Sequence, residues 1–233
     1  MKIALAGVSG IPLGKHNVAD PRLDRVHQLV EAKKKACVQV DLVAEDELAE
    51  ADSLLVHPDR RPDLILQDLE FLEVRLGREP APQERAALEK LREALEREQW
   101  GWDLGLAGDE LAMLAAYPLV TLKPAAVIDP AAMDRLDEWL RRLLDQAGYQ
   151  CFLTVGGKEN RAWLIRKNAT AWEAAGAIHS DIQKGFIRAE IISYADLIEA
   201  GGETPAKRAG KMRLEMKDYR MQDADIVNFR FNK

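Results

Sequence analysis

The chain has 233 residues, 47% of them hydrophobic and 31% charged, with a net charge of −6. This is the balance of a soluble globular protein, with enough chain for a sizeable core and one to two domains. No apolar run approaches the roughly 18 residues of a membrane helix, and Met1–Ala6 is too short for a signal-peptide core, so a cytoplasmic location without membrane contact is expected.

The charge is uneven. Residues 150–233 carry 14 Lys and Arg against 11 Asp and Glu, a net +3, which leaves −9 on residues 1–149. A polyanionic partner would therefore meet the carboxyl-terminal part, although +3 on a small domain is also ordinary. Two cysteines, Cys37 and Cys151, read as thiols in a reducing compartment, without the neighbours of a zinc site or a nucleophile.

Lys2–Ala6 is a short apolar run followed by Gly7, Gly10, Pro12 and Gly14, a strand entering a loop. A phosphate-binding loop needs G-x-x-x-x-G-K-[ST] running into a helix. Its backbone N–H groups wrap the phosphates, its lysine reaches the terminal oxygens and its hydroxyl holds magnesium. Gly14-Lys15 is present, but Ser9 stands where the first glycine belongs, His16 follows Lys15, and Pro12 removes one N–H. Asn17–Pro21 reads as a turn rather than a helix.

Leu23–Ala32 places Leu23, Val26, Leu29 and Val30 on one helical face, and Lys33–Lys35 reads as a solvated basic turn at its negative end. Cys37–Ala44 is a buried-strand candidate. Glu45, Asp46 and Glu47 follow and would repel phosphate; Ala51–His57 is the next strand. Pro62–Leu76 and Pro82–Glu98 are the clearest helices, each with proline in its first turn. Their stripes, Ile65, Leu69, Leu72 and Leu76 against Leu88, Leu91 and Leu95, joined by Gly77–Ala81, predict an antiparallel coiled-coil hairpin. Trp100 and Trp102 fall at its base and are expected in the core. Asp109–Ala116 and Pro130–Leu144 read as further helices, the latter with Met133, Leu136, Leu140 and Leu143 inward.

In the last third, Arg161–Arg166 is a strand candidate and Trp172–Ile182 a helix, stopped by Lys184-Gly185. Phe186–Tyr194, Lys211–Met216 and Ile226–Phe231 alternate as strands. Strand, helix, strand, short helix, strand, strand is the order of a β-grasp, ubiquitin-like domain.

Several stretches carry a family resemblance. Gly156–Trp163 (G-x-K-E-x-R-A-W), Ala174–Glu190 (A-A-G-x-I-H-S-D-x-x-K-G-F-I-R-A-E), Ala209–Tyr219 and Gln222–Asp225 (Q-D-x-D) resemble the TGS domain of the Obg-like ATPase (YchF) family, from about Phe152 to Asn232. Asn17-Val18 with Asp20–Arg25 resembles the family's N-V-x-x-x-x-V-P-D-P-R-L-D-K segment. Cys37–Ala44 resembles its V-E-F-V-D-I-A-G strand, with Asp41 at the Asp and Ala44 in place of the Gly. Asp63–Leu76 and Leu119–Ile128 resemble the family's E-L-x-L-A-D-L-E-x-V-E-x-R-L and L-x-T-x-K-P-x-x-x-V-A-N segments. The resemblance implies an α/β fold. Residues 1–149 would form a reduced P-loop GTPase-like parallel sheet with the helical hairpin inserted at about 62–99, and residues 150–233 a β-grasp TGS domain. Against the family pattern, the P-loop helix and both switch regions are missing, and Asp129–Met133 stands where the base-reading N-x-x-E is expected.

Three functions follow. The first is a non-catalytic relative that binds ribosome or RNA as a scaffold, with no cofactor, catalytic residue or metal ligand expected. Its candidate contacts are Lys167, His179, Lys184, Arg188, Lys207, Arg208 and Lys211; His179 fits a helix-capping role equally well. The second is a minimal NTPase holding ATP or GTP with magnesium through Gly7, Gly14, Lys15 and Asp41. The third is an assembly module that takes a protein partner through the hairpin.

Overall fold

The computed structural model describes residues 1–128 and 134–232. In chain order the elements are β1 (Lys2–Ala6), β2 (Gly14–Val18), α1 (Pro21–Leu29), β3 (Lys34–Ala36), β4 (Val38–Val43), β5 (Ser53–Val56), α2 (Arg61–Leu76), α3 (Pro82–Glu96), α4 (Gly108–Leu114), β6 (Ala125–Val127) and α5 (Leu136–Gln146). They continue as β7 (Tyr149–Thr154), β8 (Glu159–Arg166), α6 (Ala171–Ile178), α7 (Ser180–Lys184), β9 (Phe186–Ile192), α8 (Tyr194–Ala200), α9 (Glu203–Arg208), β10 (Arg213–Glu215) and β11 (Ile226–Phe231). Two compact units result: Met1–His16 with Val40–Leu143, and Asn17–Gln39 with the chain from Leu144 onward.

The first unit is built on the sheet β2-β4-β1-β5-β6. β1 runs parallel to β4 and β5, and β5 parallel to β6, with Lys2 opposite Asp41 and Ile3 opposite Ser53. All four residues of β5 are buried, as a parallel strand covered on both faces requires. The hairpin forms with the expected helices, but its stripes are part of the domain core. Leu64, Leu72, Leu76, Leu88, Leu91 and Leu95 share one apolar cluster with Ala4, Ala6, Leu54 and Val56 of the strands and with Trp100 and Leu114. Each such leucine contributes about 1.5–3 kcal/mol by burial. One polar residue breaks the stripe: Asp68 of α2 is buried and accepts from the Val120 and Thr121 amides at 3.2 and 2.8 Å and from the Thr121 hydroxyl at 2.7 Å. Trp100 is in the core, as expected, and its indole N–H donates to the Lys123 carbonyl at 2.8 Å.

The second unit is built on the sheet β10-β9-β11-β7-β8-β3, a β-grasp-like arrangement with α6 packed on it through Ala171, Ala174 and Ala175 against Phe152, Ala189, Ile191 and Phe229. Three local expectations are corrected. β7 has no counterpart in the sequence reading, because Cys151, Phe152 and Leu153 are buried in succession and show no alternation. The helix expected over 172–182 is two helices, broken at His179, whose extended backbone (φ −164°, ψ 141°) lets its Nδ1 accept from the Asp181 amide at 3.1 Å. Gly185 does stop α7, but its φ of −88° suits any residue. The glycine is required by close approach, since a Cβ there would lie 2.0 Å from the Asn232 carbonyl oxygen.

The division also differs from a boundary at 149/150. α1 is capped by Asp20 and buries Leu23 and Val26, and β3 pairs in parallel with β8, Lys34 opposite Glu159 through Ala36 opposite Arg161. The lysines expected in a turn therefore stand largely on an edge strand, where Lys34 meets Glu159 at 3.0 Å and Lys35 meets Asp24. Fully buried Asn160 donates to the Val30 carbonyl at 2.7 Å, lies 3.0 Å from His27 Nδ1, and accepts from the Gly156 amide at 2.8 Å. These bonds satisfy a buried amide and fix residues 17–39 to the β-grasp sheet. Asp129–Met133, with Met133 and the expected start of the α5 helix, lies outside the described residues.

Candidate functional site

In a parallel sheet, ligands meet the carboxyl ends of the strands where the connections diverge, here between β1 and β5. Gly7 follows β1 with φ +67°, and a Cβ there would lie 2.9 Å from Arg60 Cβ and 3.2 Å from His57 Cβ. The glycine thus serves packing beneath the turn that follows β5. Its amide donates to Glu45 Oε2 at 2.9 Å, and Glu45 Oε1 takes Arg60 Nε at 2.5 Å. Arg60 also meets Asp63 at 2.6 Å, and these two carboxylates hold the guanidinium pKa above its ordinary value.

The four residues singled out for nucleotide are not brought together. Gly14 and Lys15 open β2, an edge strand, where a phosphate loop would run into a helix. Asp41 stands opposite Lys2, and Gly7 is five residues, about 16 Å, further along the strand direction. The carboxylate at the strand ends is Glu45 instead, legible only as the first residue of an acidic run. His57 and Arg60 carried no signal in the sequence. A nucleoside triphosphate with magnesium does not fit this set, since the amide is taken by a carboxylate and neither a hydroxyl nor a helix N-terminus follows Lys15.

On the second unit the seven candidate contacts divide. Lys167 pairs with Asp145 at 2.7 Å, Lys207 with Glu203 at 2.7 Å, and Lys211 with Asp196 at 3.0 Å. His179 caps α7. Lys184, Arg188 and Arg208 are exposed and make no ion pair among the described residues. His179 and Lys184 border one shallow depression, and Lys207 borders a groove of about 300 Å³ beside β11. Arg188 stands opposite Arg230, which is held by Glu190 at 2.8 Å.

The family described as "YchF-GTPase_C: Protein of unknown function (DUF933)" matches residues 149–232. Within its aligned region the chain is 54% identical to the Ribosome-binding ATPase YchF of Haemophilus influenzae, over 92 residues covering 37% of this chain and 25% of that protein. Over this region the chain is similar to the carboxyl-terminal part of the Obg-like YchF proteins. The Bacillus subtilis YchF is 47% identical over 97 residues, covering 42% of this chain and 26% of its own length. The Escherichia coli O157:H7 YchF is 43% identical over 139 residues, covering 53% and 38%. The chain thus spans about a quarter to two fifths of the YchF relatives it matches. The Schizosaccharomyces pombe YchF GTPase superposes with a TM-score of 0.66 at 19% identity, over 93% of this chain and 86% of that one, a likeness of fold. The family region contains Lys167, His179, Lys184, Arg188, Lys207, Arg208 and Lys211; the Gly7–Glu45 contact lies before it.

Proposed function

We propose that this chain is a non-catalytic YchF relative that acts as a scaffold in the cytoplasm, meeting the ribosome or an RNA through its β-grasp TGS unit. The observation that carries the reading is Glu45: a carboxylate bonded to the Gly7 amide stands at the strand ends of the reduced G-domain-like sheet, while Gly14-Lys15 lies in a strand. A site already neutralised by its own side chain has little affinity left for phosphate. The named ribosome binding of the relatives, together with exposed Lys184, Arg188 and Arg208, supports the partner class. No cofactor is required. Titration calorimetry with ATP and GTP, with and without magnesium, is expected to show no heat. One-to-one binding lost on Lys15→Ala would replace this reading with a minimal NTPase.

A second observation favours a protein partner through the hairpin. Leu66 and Val74 of α2 are 55% and 59% exposed although the rest of the helix's apolar stripe is in the core. Sedimentation of the chain with Leu66→Glu and Val74→Glu tests this; an assembly unaffected by both substitutions removes it.

A further inference from the structure

β11 is paired unequally. On one side it runs antiparallel to β9, Ile226 opposite Ile192 to Arg230 opposite Arg188, and then, past one extra residue in β9, Phe231 opposite Phe186. On the other it meets β7 only at Ile226 opposite Leu153, because β7 ends at Thr154. The direction of its backbone groups follows from two bonds. The Leu153 amide donates to the Asp225 carbonyl on the β7 side, and the Asn232 amide donates to the Gly185 carbonyl on the β9 side. Alternation then turns the N–H and C=O of Phe229 and Phe231 toward the β7 side, where no strand continues among the described residues. This is an open edge inside a sheet, and such an edge is a template for another strand.

The edge is also furnished. The groove of about 300 Å³ beside it is lined on the α6 and α7 side by Ile178, Ile182 and Phe231, and elsewhere by Thr154, Glu203 and Lys207. Successive side chains of an added strand point to opposite faces, so one set would meet an aliphatic wall and the next a polar one. Ile182 and Phe231 also line the shallow depression at the end of β11, where Lys184 is exposed and makes no ion pair among the described residues. Glu203 and Lys207 neutralise each other at 2.7 Å, which leaves Lys184 as the uncompensated charge of these linings other than the exposed Asp181 beside His179.

We propose that the open edge of β11 at Phe229–Phe231 takes an extended segment of a protein partner by strand addition. The partner strand alternates aliphatic and small polar residues and carries an acidic residue that reaches Lys184. Main-chain hydrogen bonds to Phe229 and Phe231 supply the affinity, and the two walls supply the selectivity. This proposal does not depend on the fate of nucleotide at Gly7.

The test uses the full chain labelled with 15N and an acetylated peptide of alternating threonine and valine, flanked at both ends by glutamate. Binding is expected to shift the Phe229 and Phe231 amides and slow their hydrogen exchange. Replacing the central valine of the peptide with proline, which removes an N–H, is expected to weaken binding about fivefold to tenfold. Lys184→Glu, an exposed substitution, is expected to weaken it about twofold to fivefold. Three results would each overturn the proposal. In the free chain the two amides could already exchange as slowly as the fully paired Ile191. Millimolar peptide could leave both amides unmoved. Shifts could fall instead on Leu214, at the β10 edge, with no sensitivity to proline.

Discussion

The Glu45 carboxylate accepts the Gly7 amide at 2.9 Å, at the end of β1 where an incoming anion would bond. Its other oxygen holds Arg60. Glu45→Ala is expected to cost about 1 kcal/mol in urea unfolding, one net hydrogen bond and a half-exposed ion pair together. Lys15→Ala, on an exposed strand position, is expected to leave the unfolding midpoint unchanged. A large loss from Lys15→Ala with none from Glu45→Ala would mean that Lys15, not Glu45, organises this end of the sheet.

Asp68 accepts three hydrogen bonds in the core of the first unit. Asp68→Ala strands two buried amides and a hydroxyl, and a loss of about 3 kcal/mol or more is expected. Chemical denaturation with tryptophan fluorescence reads it, since Trp100 lies in the same cluster. A loss under 1 kcal/mol would show that the Val120–Leu122 turn finds other acceptors.

Asp223 gives the second unit an acid-sensitive contact. Burial pushes its carboxyl up, but the Arg22 guanidinium and the Cys151 amide outweigh this and hold it below the ordinary aspartate value. A depressed carboxyl stabilises the fold above the unfolded pKa, about 3.9, and that stability is lost as pH falls through the lower folded value. Stability measured from pH 6 to pH 2 is expected to fall below about pH 4, and Asp223→Asn to flatten that part of the curve. An unchanged slope would place the acid sensitivity elsewhere.

Beside it, burial and Asp223 push the Cys151 thiol up to about 12. At pH 8 Cys151 is expected to resist iodoacetamide until the chain unfolds. Mass mapping of the modified cysteine decides this, and rapid labelling of Cys151 in the native chain contradicts it.

Gly185 permits a close backbone approach at the end of β11. Gly185→Ala would set a methyl carbon 2.0 Å from the Asn232 carbonyl oxygen, so the end of β11 must move. A loss of about 1–3 kcal/mol is expected, with new chemical shifts confined to the end of β11 and the α7 terminus. A neutral result would mean the approach is relieved at no cost.

Helices with clear stripes, α2 and α3, were legible in the sequence because period and burial agree in them, and β9 and β11 were legible from residue alternation although Ile187 is exposed beside Arg188 and Ile226 is buried beside Val227. β7 was hidden by three successive buried residues. β3 was hidden because Lys34 and Lys35 find carboxylates on neighbouring segments, a partnership no local pattern encodes. The poor match of Gly14-Lys15 to a phosphate loop was readable from Ser9, Pro12 and His16. That Glu45 would bond to Gly7 was not, because the contact joins residues 38 apart. The capping role of His179 was visible beside Ser180 and Asp181, and it is the one the geometry records.

The two units are interleaved along the chain, since Asn17–Gln39 serves the same unit as the residues after Leu143. During synthesis, α1 and β3 leave the ribosome more than a hundred residues before β8, the strand β3 pairs with. Until then α1, with Leu23 and Val26, has β3 to pack on but not β8 or α8. The early segment must wait without its partner strand, and the second unit cannot complete until β11 is in place. The same threading means that cutting the gene at residue 143 leaves the whole first unit on one fragment together with an orphaned Asn17–Gln39, and the second unit on the other fragment without its α1 and β3.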